Sequence, residues 1–441
     1  MQETLISLPV RTVQRFQVTE RFLLGGLLLL TLVSRLILSG DGTLPGDMDY
    51  WIRWSQQLTS GGLRSFYAQS GADYLPIYPY ILWVLGKIYI PLQHSAGVIG
   101  WTLTRDTLYK LPAIFADVAT VHLIYVAGRR WATPSTAALA ATIYATNPAI
   151  IANSARWGQV DSIPAYLMLL SLVLLIEERP VLCGLALCCS VLTKPTALVL
   201  VPLLVVVLLR RRQITQLAQL GATFLVTGLV IIWPFVPTGI DVVQFVEQRF
   251  GVTTGTWSFA TMRAFNFWAL RQRNLLQLPD SQVWLGLSLH TWGWVFLGSV
   301  AIIVCVLVGS HIPKDRQERA RVILPAAGVL VFAFFMLLTR IHERHLLPAL
   351  SILALTCVIW PRFWPFYIWL STAYLLNLHF VARQLFALHE PVLGRIEVPL
   401  VSAINLGALV GMIALLARTL TNTAHSRRTT EWNETAEWNH L

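Results

Sequence analysis

Six consecutive residues, Arg340-Ile341-His342-Glu343-Arg344-His345, set four potential cations and one carboxylate between the apolar runs 322–339 and 346–360. Charge at that density is costly beside hydrocarbon, so it marks a place with chemical work to do. His-Glu-Arg-His lacks the zinc-protease spacing of two histidines four apart around a glutamate, which discounts that chemistry. The cluster suits a phosphate, either of surrounding lipid or of a captured lipid-phosphate substrate.

Four further groups have chemical character. Gly46-Asp47-Met48-Asp49-Tyr50-Trp51-Ile52-Arg53-Trp54 follows the first apolar run. Asp47 or Asp49 either caps a surface helix running to about Ser60, with Gly61-Gly62 ending it, or serves as a base toward an alcohol or as a metal ligand. Two positions apart on a helix they point in different directions, so one of them faces a site. Asp73-Tyr74-Leu75-Pro76 precedes a short aromatic run, where an aspartate cap and interfacial anchors are ordinary. Arg156-Trp157-Gly158-Gln159-Val160-Asp161 is a polar turn between apolar runs. There Arg156 pairs with Asp161, or Asp161 caps the next helix, or the group forms a sugar or phosphate site. Thr193-Lys194-Pro195 splits a long apolar stretch, and its lysine either snorkels or meets an anionic headgroup.

The elements that position these groups are membrane helices. With 55% apolar and 12% charged residues and a mean hydropathy of +0.61, the 441-residue chain is an all-α polytopic membrane protein. Its net charge of +11 is scattered over short loops, which argues for orientation in the membrane and against nucleic-acid binding. The five cysteines all lie inside apolar runs and show no metal spacing. Spans are predicted at 22–38, 106–128, 134–152, 162–176, 180–193, 196–209, 217–236, 284–309, 322–339, 346–360, 363–380 and 398–417, about twelve in all.

The run 76–90 decides sidedness. Counted as a span it would put Arg129-Arg130, Arg210-Arg211-Arg212 and the loop 311–321 outside, against the positive-inside bias. As an interfacial helix on the outer face it leaves all three inside. Both termini are then cytoplasmic. Nine of the ten aspartates, Asp41 among them, fall on the outer side or in an outer half-span, and only Asp315 falls inside. Two outer loops, 39–105 and 237–283, are long, as functional loops are. The chain reads as an N-terminus 1–21, a membrane module 22–236 carrying the first outer loop, the second outer loop 237–283, a second module 284–417 and a disordered cytoplasmic tail 418–441.

Acid in the first outer loop, Asp-Tyr-x-Pro before an interfacial helix, a polar turn after the third span and a late His-Glu-basic cluster together resemble a GT-C superfamily glycosyltransferase. The pattern is most similar to the dolichyl-phosphate-glucose-dependent glucosyltransferases of asparagine-linked glycan assembly and to bacterial relatives using polyprenyl-phosphate sugars. Asp47, Asp49 and Trp54 follow their Asp-x-Glu-x-x-x-x-Trp pattern, with Asp49 in place of glutamate. Asp73-Tyr74-Leu75-Pro76 stands for their Asp-Tyr-Pro-Pro, and His342-Glu343-Arg344 for their His-Glu-Lys. The turn 156–161 follows their His-Gly-x-Phe-Gln only loosely.

The resemblance implies a GT-C fold and an inverting hexosyl transfer, of mannose or glucose, from a polyprenyl-phosphate donor to a lipid-linked glycan acceptor on the outer face of a bacterial inner membrane. Asp47 would act as base, with Asp49 beside it. His342, Arg344, Arg340 and Lys194 would hold the donor phosphate. Asp73, Tyr74, Arg156, Trp157, Gln159, Asp161 and Glu343 would line the substrates. No cofactor is implied; a divalent cation, if used, would lie on Asp47 and Asp49. A monomer among membrane lipids is expected. The rival reading is a transporter or flippase of lipid-linked saccharides, which would more typically show inverted repeats or mid-span polar residues.

Overall fold

The computed structural model describes residues 10–40, 42–43, 46–94, 102–271, 278–310, 312–385 and 394–438. Asp41 lies outside them. α1 (Val10–Leu38) leads into three shorter helices, α2 (Asp47–Gly61), α3 (Leu63–Ser70) and α4 (Ile77–His94), before the long α5 (Thr102–Trp131). α6 (Pro134–Ala145) and the one-turn α7 (Pro148–Ile151) precede α8 (Ser162–Ile176), α9 (Pro180–Val191), α10 (Val201–Arg210) and α11 (Ile214–Ile232). After α12 (Val242–Gly255), a hairpin of β1 (Val283–Trp284) and β2 (Leu287–Ser288) opens onto α13 (Leu289–Gly309). α14 (Arg316–Leu337), α15 (Leu347–Ile359), α16 (Trp364–Leu385) and α17 (Gly394–Trp438) complete the chain.

Every predicted span carries helix, with local departures. Pro148 cannot extend α6, so the run 134–152 breaks at Asn147, whose side chain caps α7 by accepting from the Ala149 amide. The hairpin takes residues 283–288, so the run predicted from 284 becomes helical only at Leu289, capped by Ser288. Among the described residues six helices are long and apolar enough to cross a membrane, with three shorter apolar ones beside them. α17 continues unbroken to Trp438, past the start of the tail that composition marks as disordered. No glycine or proline follows Arg418 to stop it.

Ion pairs fix the helix directions. Arg129 at the end of α5 lies 3.2 Å from Glu20 near the start of α1, and Ser39 just past α1 bonds Thr107 near the start of α5 at 2.8 Å. The two helices are therefore antiparallel. The end of α1, where the intervening chain leaves, thus lies beside the start of α5, where it returns. At the opposite end, Glu177 meets Arg130 and Arg316, while Glu178 meets Arg211 and Arg319. The three basic segments expected to share a face do share one.

The main core runs through α14 and α15, which pack on each other and against α5, α6 and α8. A second, aromatic core joins α2, α3 and α4 over Phe235 and Phe245. α4 closes tightly on α2 because position 86 is glycine; a Cβ there would lie 2.8 Å from the Ser55 carbonyl oxygen.

Candidate active site

Asp47 is the first residue of α2, and it does not cap that helix; Gly46 occupies the cap position. The Asp47 carboxylate instead accepts a 2.7 Å hydrogen bond from the Gln159 amide. Gln159 arrives there through an unusual path. A π-helical turn, Ala152–Arg156, follows α7, and Gly158 then turns the chain at φ 72°. No side chain fits at 158, since a Cβ would meet the Lys110 side chain at 2.9 Å. The same lysine, buried in α5, donates to the carbonyls of Ser39 and Gly42 and so ties down the approach to Asp47.

Two residues past Gln159, the Asp161 carboxylate accepts from Lys194 at 2.6 Å and lies 3.7 Å from Arg344 Nε. Arg344 is the hub: its guanidinium also lies 3.2 Å from Glu343 and 4.0 Å from Asp47. Lys194 Nζ stands 5.6 Å above the Tyr74 ring. Tyr74 is fixed in turn by Tyr67, whose hydroxyl bonds the Tyr74 carbonyl at 2.9 Å. Burial raises the pKa of the Asp73 and Glu343 carboxyls, against the pull of nearby Arg344. Burial also lowers the pKa of the Lys194 ammonium, while Asp161 opposes that shift.

On the other side of these cations lies a cavity of about 560 Å³. Arg344, Lys194, Asp73, Tyr74, Arg340, His342 and His345 form its polar end, and Leu198, Val199, Pro202, Leu297, Ala301 and Phe334 its apolar flank. Asp47 and Asp161 are not among its lining residues, but Arg344, which is, lies 4.0 Å from the first and 3.7 Å from the second.

Several expectations need correction. Asp49 is exposed and does not join Asp47, because a two-residue step on a helix turns it to another side. The pair offered as a metal site is thus divided, and no cluster of three or more metal-ligating side chains occurs among the described residues. Trp157 is packed into the main core, and Arg156 is exposed at the end of the π turn. From that turn Gln159 bonds Asp47, and Asp161 meets Lys194 and Arg344. Arg340 is already committed: its guanidinium bonds Asp280 at 2.5 Å and the Thr254 carbonyl at 2.8 Å. His342 and His345 are pushed well below the usual histidine range by burial and then by neighbouring cations, so they are neutral donors or acceptors at pH 7.

Sequence reading marked the loop 237–283 by its length but named none of its contacts to the site. Met262 and Arg263 bridge the backbone of His342, with Arg263 in the left-handed region at φ 62°. Trp257, Thr254 and His290 line the cavity. Nothing in the local pattern of these residues announced them. It also passed over Arg35 in α1, which pairs with Asp117 in α5 at 2.7 Å with both side chains fully buried. Ser154 of the π turn bonds the same carboxylate at 2.6 Å. A lone arginine inside an apolar run was the available signal.

Helices long and apolar enough to cross a membrane and a cluster of carboxylates and cations beside a largely apolar cavity mark a membrane protein with a candidate site. Residues 65–384 match the ALG6, ALG8 glycosyltransferase family, and the chain belongs to that family. The match begins after Asp47, which the fold nevertheless brings to the matched residues Gln159 and Arg344. It bears out the GT-C resemblance read from the motifs. The chain is also similar to ArnT from Cupriavidus metallidurans bound to undecaprenyl phosphate, at 15% identity over 91% of this chain and 77% of that one, with a TM-score of 0.49. The apo state of the same protein is 16% identical over 93% and 78%, again with a TM-score of 0.49. No curated protein matches the chain.

Proposed function

We propose that this glycosyltransferase moves a hexose from a polyprenyl-phosphate donor to a lipid-linked acceptor, with inversion, on the outer face of a bacterial inner membrane. One observation carries the reading: Arg344 faces the cavity and also stands 4.0 Å from Asp47, joining a phosphate-sized cationic wall to a carboxylate. The donor phosphate sits against Arg344 and Lys194, and the apolar flank takes the first isoprenes of its tail. Asp47, held by Gln159, accepts the proton of the acceptor hydroxyl as that oxygen attacks the anomeric carbon. The bond from carbon to phosphate oxygen breaks on the opposite face. The fixed cations then stabilise the leaving phosphate monoester, whose charge grows as the bond breaks.

The antiparallel α1 and α5, joined at one end by Glu20 and Arg129, support an α4 that lies on the membrane surface. With the basic segments on the cytoplasmic side, the site faces outward. Purified protein in vesicles, supplied with polyprenyl-phosphate glucose or mannose and a lipid-linked acceptor, should give a glycosylated lipid by mass spectrometry. Transfer from nucleotide sugars alone would overturn the donor assignment. Cysteines placed at 53, ahead of α4, and at 129 should label from opposite sides of the membrane; labelling from one side would refute a surface α4.

A further inference from the structure

The hairpin β1–β2 carries no charge and exposes the apolar side chains that its register places near its tip. Val283 is 66%, Leu285 75% and Leu287 41% exposed. Val283 pairs with Ser288 and Trp284 with Leu287, which leaves Leu285-Gly286 as a two-residue turn. Both have positive φ, 48° and 84°. Such a turn favours Asn-Gly, because asparagine tolerates the left-handed conformation better than branched apolar residues do. Here the first position is leucine. Folding therefore displays a large apolar side chain at the apex against the local backbone preference.

The hairpin is not a free flap. The Trp292 indole donates to the Trp284 carbonyl at 2.6 Å, and the two rings lie 5.7 Å apart. Ser288 of β2 is also the cap of α13. That helix is apolar enough to span a membrane and exposes Trp294 and Val295 near the hairpin and Ile302, Ile303 and Val306 farther along. The apolar surface of the hairpin is thus continuous with the lipid-facing surface of α13. Three residues from Leu285 to Ser288 reach at most about 10 Å. Headgroup regions add roughly 5–8 Å on each side of the hydrocarbon, so the apex stays close to the boundary.

We propose that this hairpin is a membrane wedge, with Leu285, Val283 and Leu287 seated at the junction of headgroups and acyl chains. Its occupant is lipid. Uncharged, flanked by Trp284 and Trp292, and rooted in a span, it has the composition of an interfacial anchor. The wedge begins three residues after Asp280, the partner of Arg340. Membrane contact thereby pins the segment that carries Asp280, the partner of the cavity-lining Arg340.

The test is a fluorophore sensitive to its surroundings at Leu285→Cys, in the full chain with the five native cysteines replaced, in phosphatidylcholine vesicles. Ile302→Cys serves as the lipid-facing reference. Strong quenching by lipids carrying a nitroxide near the headgroup, with weak quenching by aqueous iodide, is the expected result. Iodide quenching without lipid quenching would overturn the proposal. Protection from both would also overturn it, since another protein surface would then cover the hairpin. Should the cysteine-replaced chain fail to fold, carbene photolabelling of the native chain from the bilayer reads the same contact. An unlabelled hairpin peptide beside a labelled α13 peptide would then reject the wedge.

Discussion

Arg344 Nη2 lies 4.0 Å from Asp47 Oδ2, although the two residues are almost 300 positions apart in the chain. The same guanidinium reaches Asp161 and Glu343, so one cation balances three carboxylates and closes one end of the cavity. Removing it would leave Glu343 buried without the guanidinium beside it and Asp161 with Lys194 alone; breaking a buried pair typically costs about 3–5 kcal/mol. Arg344→Ala should lower the apparent Tm and sharply weaken donor binding, while Arg344→Lys keeps part of both. Titration with a polyprenyl-phosphate sugar decides the matter; unchanged donor affinity in Arg344→Ala removes the phosphate role.

Asp47 and Asp49 should separate cleanly. Loss of a positioned general base usually lowers turnover about 10²–10⁴-fold, so Asp47→Asn should show that fall in kcat while donor affinity persists. Asp49 is exposed, and Asp49→Asn should stay near wild type. Equal losses in the two variants would point to a shared role and reopen the paired-carboxylate site. Gln159→Ala, which frees the Asp47 carboxylate, should fall between them.

Much of this arrangement was legible in the sequence. Hydropathy placed the helices, because each span must be apolar wherever it sits. Asp47, Arg344 and Lys194 were visible as charge out of keeping with their apolar surroundings. What sequence could not give was pairing. Arg340 and Arg344 look alike in a six-residue cluster, yet Arg340 meets Asp280 from the second outer loop and Arg344 meets Asp47 from the first. Trp157 and Gln159 likewise share one turn and face opposite ways, because a π-helical turn and a left-handed glycine lie just before Gln159. Neither conformation has a periodic signal.

Gly158 supplies a test of that turn. At φ 72°, with the Lys110 side chain 2.9 Å from a Cβ, it meets both a backbone and a steric bar to substitution. A strained left-handed residue costs on the order of 1–3 kcal/mol. Gly158→Ala should therefore lower the Tm and reduce kcat by displacing Gln159 from Asp47. If kcat is normal in folded Gly158→Ala protein, the turn does not position the base.

Lys194 and Asp161 form a buried pair at 2.6 Å. Either single change, Lys194→Met or Asp161→Asn, strands a charge and should destabilise by several kcal/mol, whereas the double variant should recover much of that loss. Activity should not recover, because the cation facing the cavity is gone. A double variant that regains donor binding along with its Tm would show that Lys194 serves structure alone.

His342 and His345 give a pH dependence with a definite sign. Both line the cavity, and burial, followed by Arg344 and Lys194, holds their pKa values below the ordinary 6.5. Arg263 faces His342 as well. The folded state then binds fewer protons than the unfolded chain. Their contribution to stability is full above pH 6.5 and is lost as pH falls toward the lowered folded values. The loss is at most about 1 kcal/mol per histidine between pH 6.5 and 5.5. Glu343 and Asp73 act in the opposite sense: burial raises them, so their contribution is full below their ordinary 4.5 and 3.8 and fades as pH rises through the raised values. The difference between wild type and His342→Gln/His345→Gln isolates the histidines. The Tm of the wild type should fall more steeply than that of the double variant from pH 6.5 to 5.5. Parallel curves would mean that both imidazoles titrate as they do in water, and the neutral, cavity-lining histidines described above would have to be given up.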